Sequence, residues 1–249
     1  MKNQKHQIYR VYGINNAVAV LGSNKFYIHQ IELEKNGKAE KHTRITKLIK
    51  NKSSVCKFIH KNEFQKYYKN LRSQGIVVNF SGAVFWEKIP NSPYNNRSCL
   101  LALDQIEDPQ NLGQIIRTAE CAGIDGVLIS KHNTAPISNT VLQVSQGAFV
   151  NIPIYRVNNL RQAFESLKQE GFWVVGLENN IPAKPWHSFD FNEKTVIVLG
   201  SEGRGIREKI IEFCDFLITI PMKGEIDSLN VSAAAAAVLF ERMRQSLNR

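Results

Sequence analysis

Acidic residues are scarce where basic ones are plentiful. Residues 1–97 hold 5 Asp and Glu against 18 Lys and Arg, a balance of +13, while residues 98–249 hold 17 acidic against 14 basic, a balance of −3. The whole excess behind the net charge of +10 therefore sits in the first two-fifths of the chain. It points to a polyanionic partner held mainly by that part, with a lysine-rich solubilising surface as the bland alternative. Cysteine is sparse too. Cys56, Cys99, Cys121 and Cys214 are scattered without a C-x-x-C pair, so neither a disulfide framework nor a zinc site is expected, and a reducing compartment is the default. The histidines show no metal-ligand spacing, and no metal is expected. No apolar run approaches the length of a membrane span. "MKNQKHQIYRVYG" lacks the apolar core of a signal peptide, so a cytoplasmic protein with no membrane partner is the expectation. The dinucleotide fingerprint G-x-G-x-x-G is missing as well, which removes the signature of a nucleotide-dependent oxidoreductase.

What is present is 249 residues, 43% of them hydrophobic, enough for one large domain or two small ones. The first part reads as a small α/β unit. "GINNAVAVLG" has helical spacing, "KFYIHQIEL" and "SVCKFI" read as strands, "KHTRITKLIKN" and "KNEFQKYYKNL" as basic helices, and "RSQGIVVNFSGAVFWEKI" as a closing strand. Phe64, Tyr67 and Tyr68 alternate with Lys66; the core face of an amphipathic helix is favoured over RNA contact. The Pro-, Asn- and Ser-rich "EKIPNSPYNNRS" is the best linker in the chain. Domains are accordingly expected at 1–85 and 99–249, with a linker at 86–98. Beyond it apolar strands alternate with amphipathic helices, the pattern of a parallel sheet covered on both faces.

In such sheets ligands sit at the C-terminal ends of strands, and three strand ends carry unusual polar sequence. "DQIEDPQNLGQIIRTAECAG" (104–123) has a turn at Asp108-Pro109, then Asn111 and, six residues on, Arg117. Read alone, Asn111 is a helix cap and Arg117 a surface cation. "TVIVLGSEGRGI" (195–206) is a β-branched run opening into Gly200, Gly203 and Gly205, which permit close backbone approach. Glu202 inside that turn is a poor partner for a pyrophosphate. "IPMKGEIDSLNVSAAAAAVLFERM" (220–243) sets Ser228 and Asn230, each a candidate cap, before an alanine run that suits a helix packed close to another backbone.

Taken together, in this order and spacing, the motifs N-L-G-x-x-x-R-T-A, V-L-G-S-E-G-x-G and I-P-M…S-L-N-V-S-x-A-x-A resemble those of the SpoU (TrmH-like) RNA 2′-O-ribose methyltransferases of the SPOUT superfamily. The resemblance covers roughly residues 99–247. Members acting on guanosine in large-subunit rRNA are the most similar, and those acting on tRNA share the motifs. It implies an α/β fold whose C-terminal parallel-sheet domain carries a deep trefoil knot, beside a smaller N-terminal L30e-like domain that binds structured RNA, rRNA ahead of tRNA. It also implies a homodimer formed through the knotted domain.

Carried over by motif, Gly200, Ile220 and Leu229 would contact the methyl donor, S-adenosylmethionine, and Asn111, Arg117, Glu202, Ser228 and Asn230 would serve catalysis. The family's proposed base is the arginine matching Arg117. An arginine side chain stays protonated in proteins, so a cation that holds the target phosphate and steadies charge on the 2′-oxygen is the preferred role. Asn111 would hold Arg117 or the ribose, Glu202 would fix Arg117 or nearby backbone amides, and Arg204 and Arg207 would meet phosphates or solvent. The competing readings are a tRNA guanosine methyltransferase and a catalytically inactive RNA-binding or ribosome-assembly protein. Retention of all five catalytic positions argues against the latter.

Overall fold

A computed structural model describes residues 7–90, 94–179 and 182–247. Residues 91–93, inside the expected linker 86–98, lie outside the described residues. In chain order the elements are β1 (Ile8–Tyr12), α1 (Ile14–Gly22), β2 (Tyr27–Glu34), α2 (Thr43–Ile49), β3 (Cys56–Ile59), α3 (Lys61–Tyr68) and β4 (Ile76–Ser81). There follow β5 (Cys99–Leu103), α4 (Pro109–Cys121), β6 (Gly126–Ser130), α5 (Asn139–Val144), α6 (Ala148–Asn151), β7 (Ile154–Val157) and α7 (Leu160–Gln169). The remainder is β8 (Trp173–Leu177), β9 (Lys184–Pro185), β10 (Thr195–Leu199), α8 (Glu208–Ile211), β11 (Phe216–Thr219) and α9 (Val231–Leu247).

The chain divides into two compact units. One is built from the described part of Met1–Val84 together with Ile137–Asn151, the other from Phe85–Pro136 and Ile152–Arg249. In the first, a four-stranded sheet runs β1-β4-β2-β3, with β4 antiparallel to both neighbours and β2 parallel to β3. Tyr9, Phe26, Phe80 and Phe149 meet ring to ring in its core. The outer edge of β1 is closed by α5. Arg10 N donates to Asn139 Oδ1 at 2.9 Å and Tyr12 N to Gln143 Oε1 at 2.9 Å, while Gln143 Nε2 returns a bond to Tyr12 O at 3.0 Å. An edge strand would otherwise leave those backbone groups unpaired.

The second unit holds a seven-stranded sheet in the order β7-β6-β5-β10-β8-β11-β9, every pair parallel. The chain is thus an α/β protein. The strands read as unbroken apolar runs because both faces are covered: all five residues of β5, β6 and β10 are buried. On one face α7 lays down Leu160, Ala163, Phe164 and Leu167, spaced i, i+3, i+4, i+7, against Leu100, Leu128, Val174 and Val196. Asn159 caps that helix through the Arg161 N–H. Elsewhere α4 and α9 pack together. Of the alanine run only Ala235 is fully buried; Ala233 is exposed, so close packing engages one stripe of α9 rather than the whole run.

Candidate functional site

Parallel strands aim their C-terminal ends the same way, so the loops after β5, β8, β10 and β11 gather at one end of the sheet. The loop after β10 is a closed turn. Ser201 N donates to Gly205 O and Gly205 N to Ser201 O, both at 3.0 Å, which ties off Glu202, Gly203 and Arg204 as its tip. A methyl group on Gly200 would run into the Gly205 carbonyl carbon and the Ile206 nitrogen, so the turn closes this tightly only on glycine. Gly205 has φ +68° and backs onto the Glu178 carboxylate with no room for a side chain.

Two carboxylates brace this turn from beneath. Glu178, at the end of β8 and only 6% exposed, accepts from Ile206 N at 2.9 Å and from Asn179 N at 2.9 Å. Asp104, at the end of β5 and fully buried, accepts from Arg207 N at 3.0 Å, Nε at 2.9 Å and Nη2 at 2.6 Å. Asn179 joins the remaining loop: its Oδ1 accepts from Thr219 Oγ1 at 2.6 Å and Ile220 N at 3.3 Å, and its Nδ2 donates to Asp227 O at 3.3 Å. Apart from the bond between the neighbours Glu178 and Asn179, each polar bond here connects segments that only the fold brings together.

At the tip lies a cluster of three side chains. Asn111 Nδ2 donates to Glu202 Oε2 at 3.3 Å, Asn230 Nδ2 donates to Asn111 Oδ1 at 3.1 Å, and Asn230 Nδ2 also lies 3.4 Å from Glu202 Oε1. The cluster forms because α4 starts two residues earlier than Asn111. Asp108 is the cap, accepting from Gln110 N at 2.9 Å with Pro109 as first helical residue, so Asn111 is not the cap and its amide is free to face the loops. Asn230 does cap: its Oδ1 accepts from Ser232 N at 2.9 Å, while its amide nitrogen serves the cluster.

A cavity of about 370 Å³ opens beside the turn, with Gly200, Glu202, Ile220, Ser228, Leu229 and Asn230 in its wall. A second, of about 210 Å³, has Glu107, Asp108, Asn111, Glu202 and Arg204 in its wall. Glu202 borders both. Seven of the eight residues named from the motifs therefore line one cavity or the other. Arg117 does not. It stands exposed on α4, and neither Asn111 nor Glu202 holds it. Six residues along a helix place a side chain about 9 Å on and about 120° round from Asn111, which turns Arg117 away from the cluster. Ser228 makes no side-chain hydrogen bond among the described residues. Arg207 pairs with Asp104 while its side chain stays exposed. Glu178, Asn179 and Asp104 were not named from the sequence. The signal was there in part, since "ENN" breaks an apolar strand at β8 just as the motif loops break theirs.

Residues 98–240 match the model of the SpoU rRNA Methylase family. The chain is 34% identical over 240 residues to the 23S rRNA (guanosine-2′-O-)-methyltransferase RlmB of Pseudomonas aeruginosa, covering 95% of this chain and 96% of that one. It is 34% identical over 220 residues to a Staphylococcus aureus protein assigned to the TrmH family of tRNA/rRNA methyltransferases, covering 78% and 88%. Its fold matches the SpoU methyltransferase AviRb from Streptomyces viridochromogenes, crystallised with its cofactor AdoMet, at a TM-score of 0.80 and 19% identity over 97% of this chain and 92% of that one.

Proposed function

Because the chain belongs to the SpoU rRNA methylase family, we propose that it transfers a methyl group to the ribose 2′-oxygen of a guanosine in large-subunit rRNA. Members of the family are S-adenosylmethionine-dependent RNA methyltransferases, and this chain is an enzyme of that kind. The observation that carries the finer reading is the Asn111–Glu202–Asn230 cluster on the wall shared by two cavities. The name of the Staphylococcus relative makes tRNA the second candidate substrate.

The larger cavity suits the donor. Its volume falls in the usual range for small-molecule sites, and its wall alternates apolar side chains, Leu199, Ile220, Met222 and Leu229, with backbone of the glycine turn. When bound, S-adenosylmethionine supplies an electrophilic methyl carbon. Gly200, Ile220 and Leu229 would hold it, with Ser228 shaping the rim. The smaller cavity would admit the acceptor ribose. Glu202, held at both oxygens by carboxamides, would accept a hydrogen bond from the 2′-hydroxyl and orient its oxygen for in-line attack. Arg117, exposed on α4 and turned away from the cluster, would hold a phosphate of the target strand rather than touch the reacting oxygen, and the proton would leave to a phosphate oxygen or water.

Three further features follow from the same reading. The topology β7-β6-β5-β10-β8-β11-β9 suits a deep trefoil knot in residues 99–249, and the four-stranded sheet suits an L30e-like RNA-binding domain at 1–85, with 86–98 between them. Exposed Phe240 and Leu247 on α9 favour a homodimer made through the knotted domain. No helix among the described residues is long and apolar enough to cross a membrane, and RNA modification suits the cytoplasm. The test is mapping of ribose methylation in rRNA and tRNA from cells with and without this protein. One guanosine mark lost from large-subunit rRNA is the expected result; unchanged marks in both RNAs would end the proposal.

A further inference from the structure

The register of the four-stranded sheet sorts its side chains into rows, and one face is only partly covered. On that face Ile8, Ser81 and Tyr27 are neighbours across β1, β4 and β2; Arg10, Asn79 and Gln30 form the next row, and Tyr12, Val77 and Glu32 the third. Helix α3 lies over the third row. Phe64 is buried with Val77 and Ile59, and the Tyr68 hydroxyl donates to Glu32. The first two rows are left open: Tyr27 is 68% exposed and Ile8 58%, and Arg10 and His29 are exposed as well.

A bulge concentrates this surface. The register shift between Ile28 and Gln30 inserts one extra residue into β2, and His29 thereby joins the same face, its Nε2 2.8 Å from Ser81 Oγ. Its ring stands edge-on to Tyr27 at 4.8 Å, which fixes the tyrosine while leaving a ring face to solvent. In the second row Arg10 Nε donates to Asn79 Oδ1 at 3.0 Å and Asn79 Nδ2 to Gln30 Oε1 at 3.3 Å. Arg10 is thereby oriented, yet its terminal nitrogens have no partner among the described residues.

We propose that this open sheet face is a binding site for unpaired RNA, with Tyr27 stacked on one base, Ile8 and His29 flanking it, and Arg10 on the adjacent phosphate. The proposal rests on the RNA methyltransferase reading and adds where the enzyme grips nucleotides other than the one it modifies. Charge identifies the occupant. Residues 1–84 carry 16 Lys and Arg against 4 Asp and Glu, and 137–151 carry no charge, so the unit stands at +12. A rigid exposed ring in a cationic unit is matched by a base with a free π-face. Duplex RNA does not offer one, since its bases are already stacked.

The test uses the full chain, a fluorescein-labelled single-stranded uridine dodecamer and an RNA duplex of equal length, read by anisotropy, with donor affinity read by calorimetry. Tyr27→Ala should weaken dodecamer binding by about 5- to 150-fold, the loss expected for one stacked base, whereas Tyr27→Phe retains it. Arg10→Ala should lower the log–log salt slope by about 0.7. S-adenosylmethionine affinity stays unchanged in every variant. Tyr67→Ala, an equally exposed ring on α3, leaves binding unaltered. Wild-type affinity in Tyr27→Ala, or an equal loss in Tyr67→Ala, overturns the assignment while donor binding and methyl transfer leave the enzyme reading intact. Wild-type protein that binds neither RNA nor donor overturns both.

Discussion

At the scale of single residues, Glu202 and Glu178 sit on the same loop system with opposite roles. Glu202 is exposed at the cavity wall and bonded by neutral carboxamides, so it can face a substrate; Glu178 is buried and spends its oxygens on backbone N–H groups. Glu202→Gln removes an acceptor at the proposed reacting centre without removing volume. Methyl transfer should fall by about 100-fold or more, with donor affinity changed by less than about threefold, in single-turnover assays beside calorimetry; an unimpaired rate would take Glu202 out of the chemistry. Asn111, Glu202 and Asn230 were legible because they stand inside ordered motifs. Glu178 and Asp104 were not, because a lone carboxylate at a strand end has no spacing signature. Their partners, the N–H groups of Ile206 and Arg207, lie 28 and 103 residues away.

At the scale of elements, the glycine turn and α3 show how local geometry is fixed from elsewhere. Gly205 has a positive φ and faces the Glu178 carboxylate, so Gly205→Ala meets both backbone strain and a clash. Stability should drop by about 1–3 kcal/mol, read as a lower midpoint in urea, and donor binding should weaken in step. A wild-type midpoint would show that the turn relaxes freely. On α3, Tyr68 is half-buried and donates to Glu32. Burial first, then that carboxylate, push its phenol up from the usual 10 to about 12. The folded state therefore favours the protonated phenol. This contribution is complete below pH 10 and is lost as pH rises through 12. Phenolate absorbance of wild type minus Tyr68→Phe should show one tyrosine titrating near 12; a difference curve centred at 10 would contradict the bond. Most elements followed from hydrophobic period, whereas β1 and the two-residue β9 did not. "IYRVY" alternates buried and exposed residues correctly, but it is short and adjoins a stretch of Lys, Gln and His.

At the scale of the whole molecule, charge is divided between the two units as sharply as structure is. The first unit stands at +12 and the second at −2, so RNA affinity should depend steeply on ionic strength, with log Kd linear in log salt, while donor affinity barely moves. A flat RNA plot would sink the electrostatic account. The sequence alone determined the fold class, the charge asymmetry and the family motifs, because each is written in residue type and spacing along the chain. Only the tertiary structure decided which groups share a wall: the Asn111–Glu202–Asn230 cluster, Arg117 turned outward, and Ile137–Asn151 packed with a unit that begins far upstream. The reason is physical. Spacing and period report the interactions of neighbours in sequence, whereas hydrogen bonds and close packing act between neighbours in space, and those are settled when the sheet closes and the loops at its end converge.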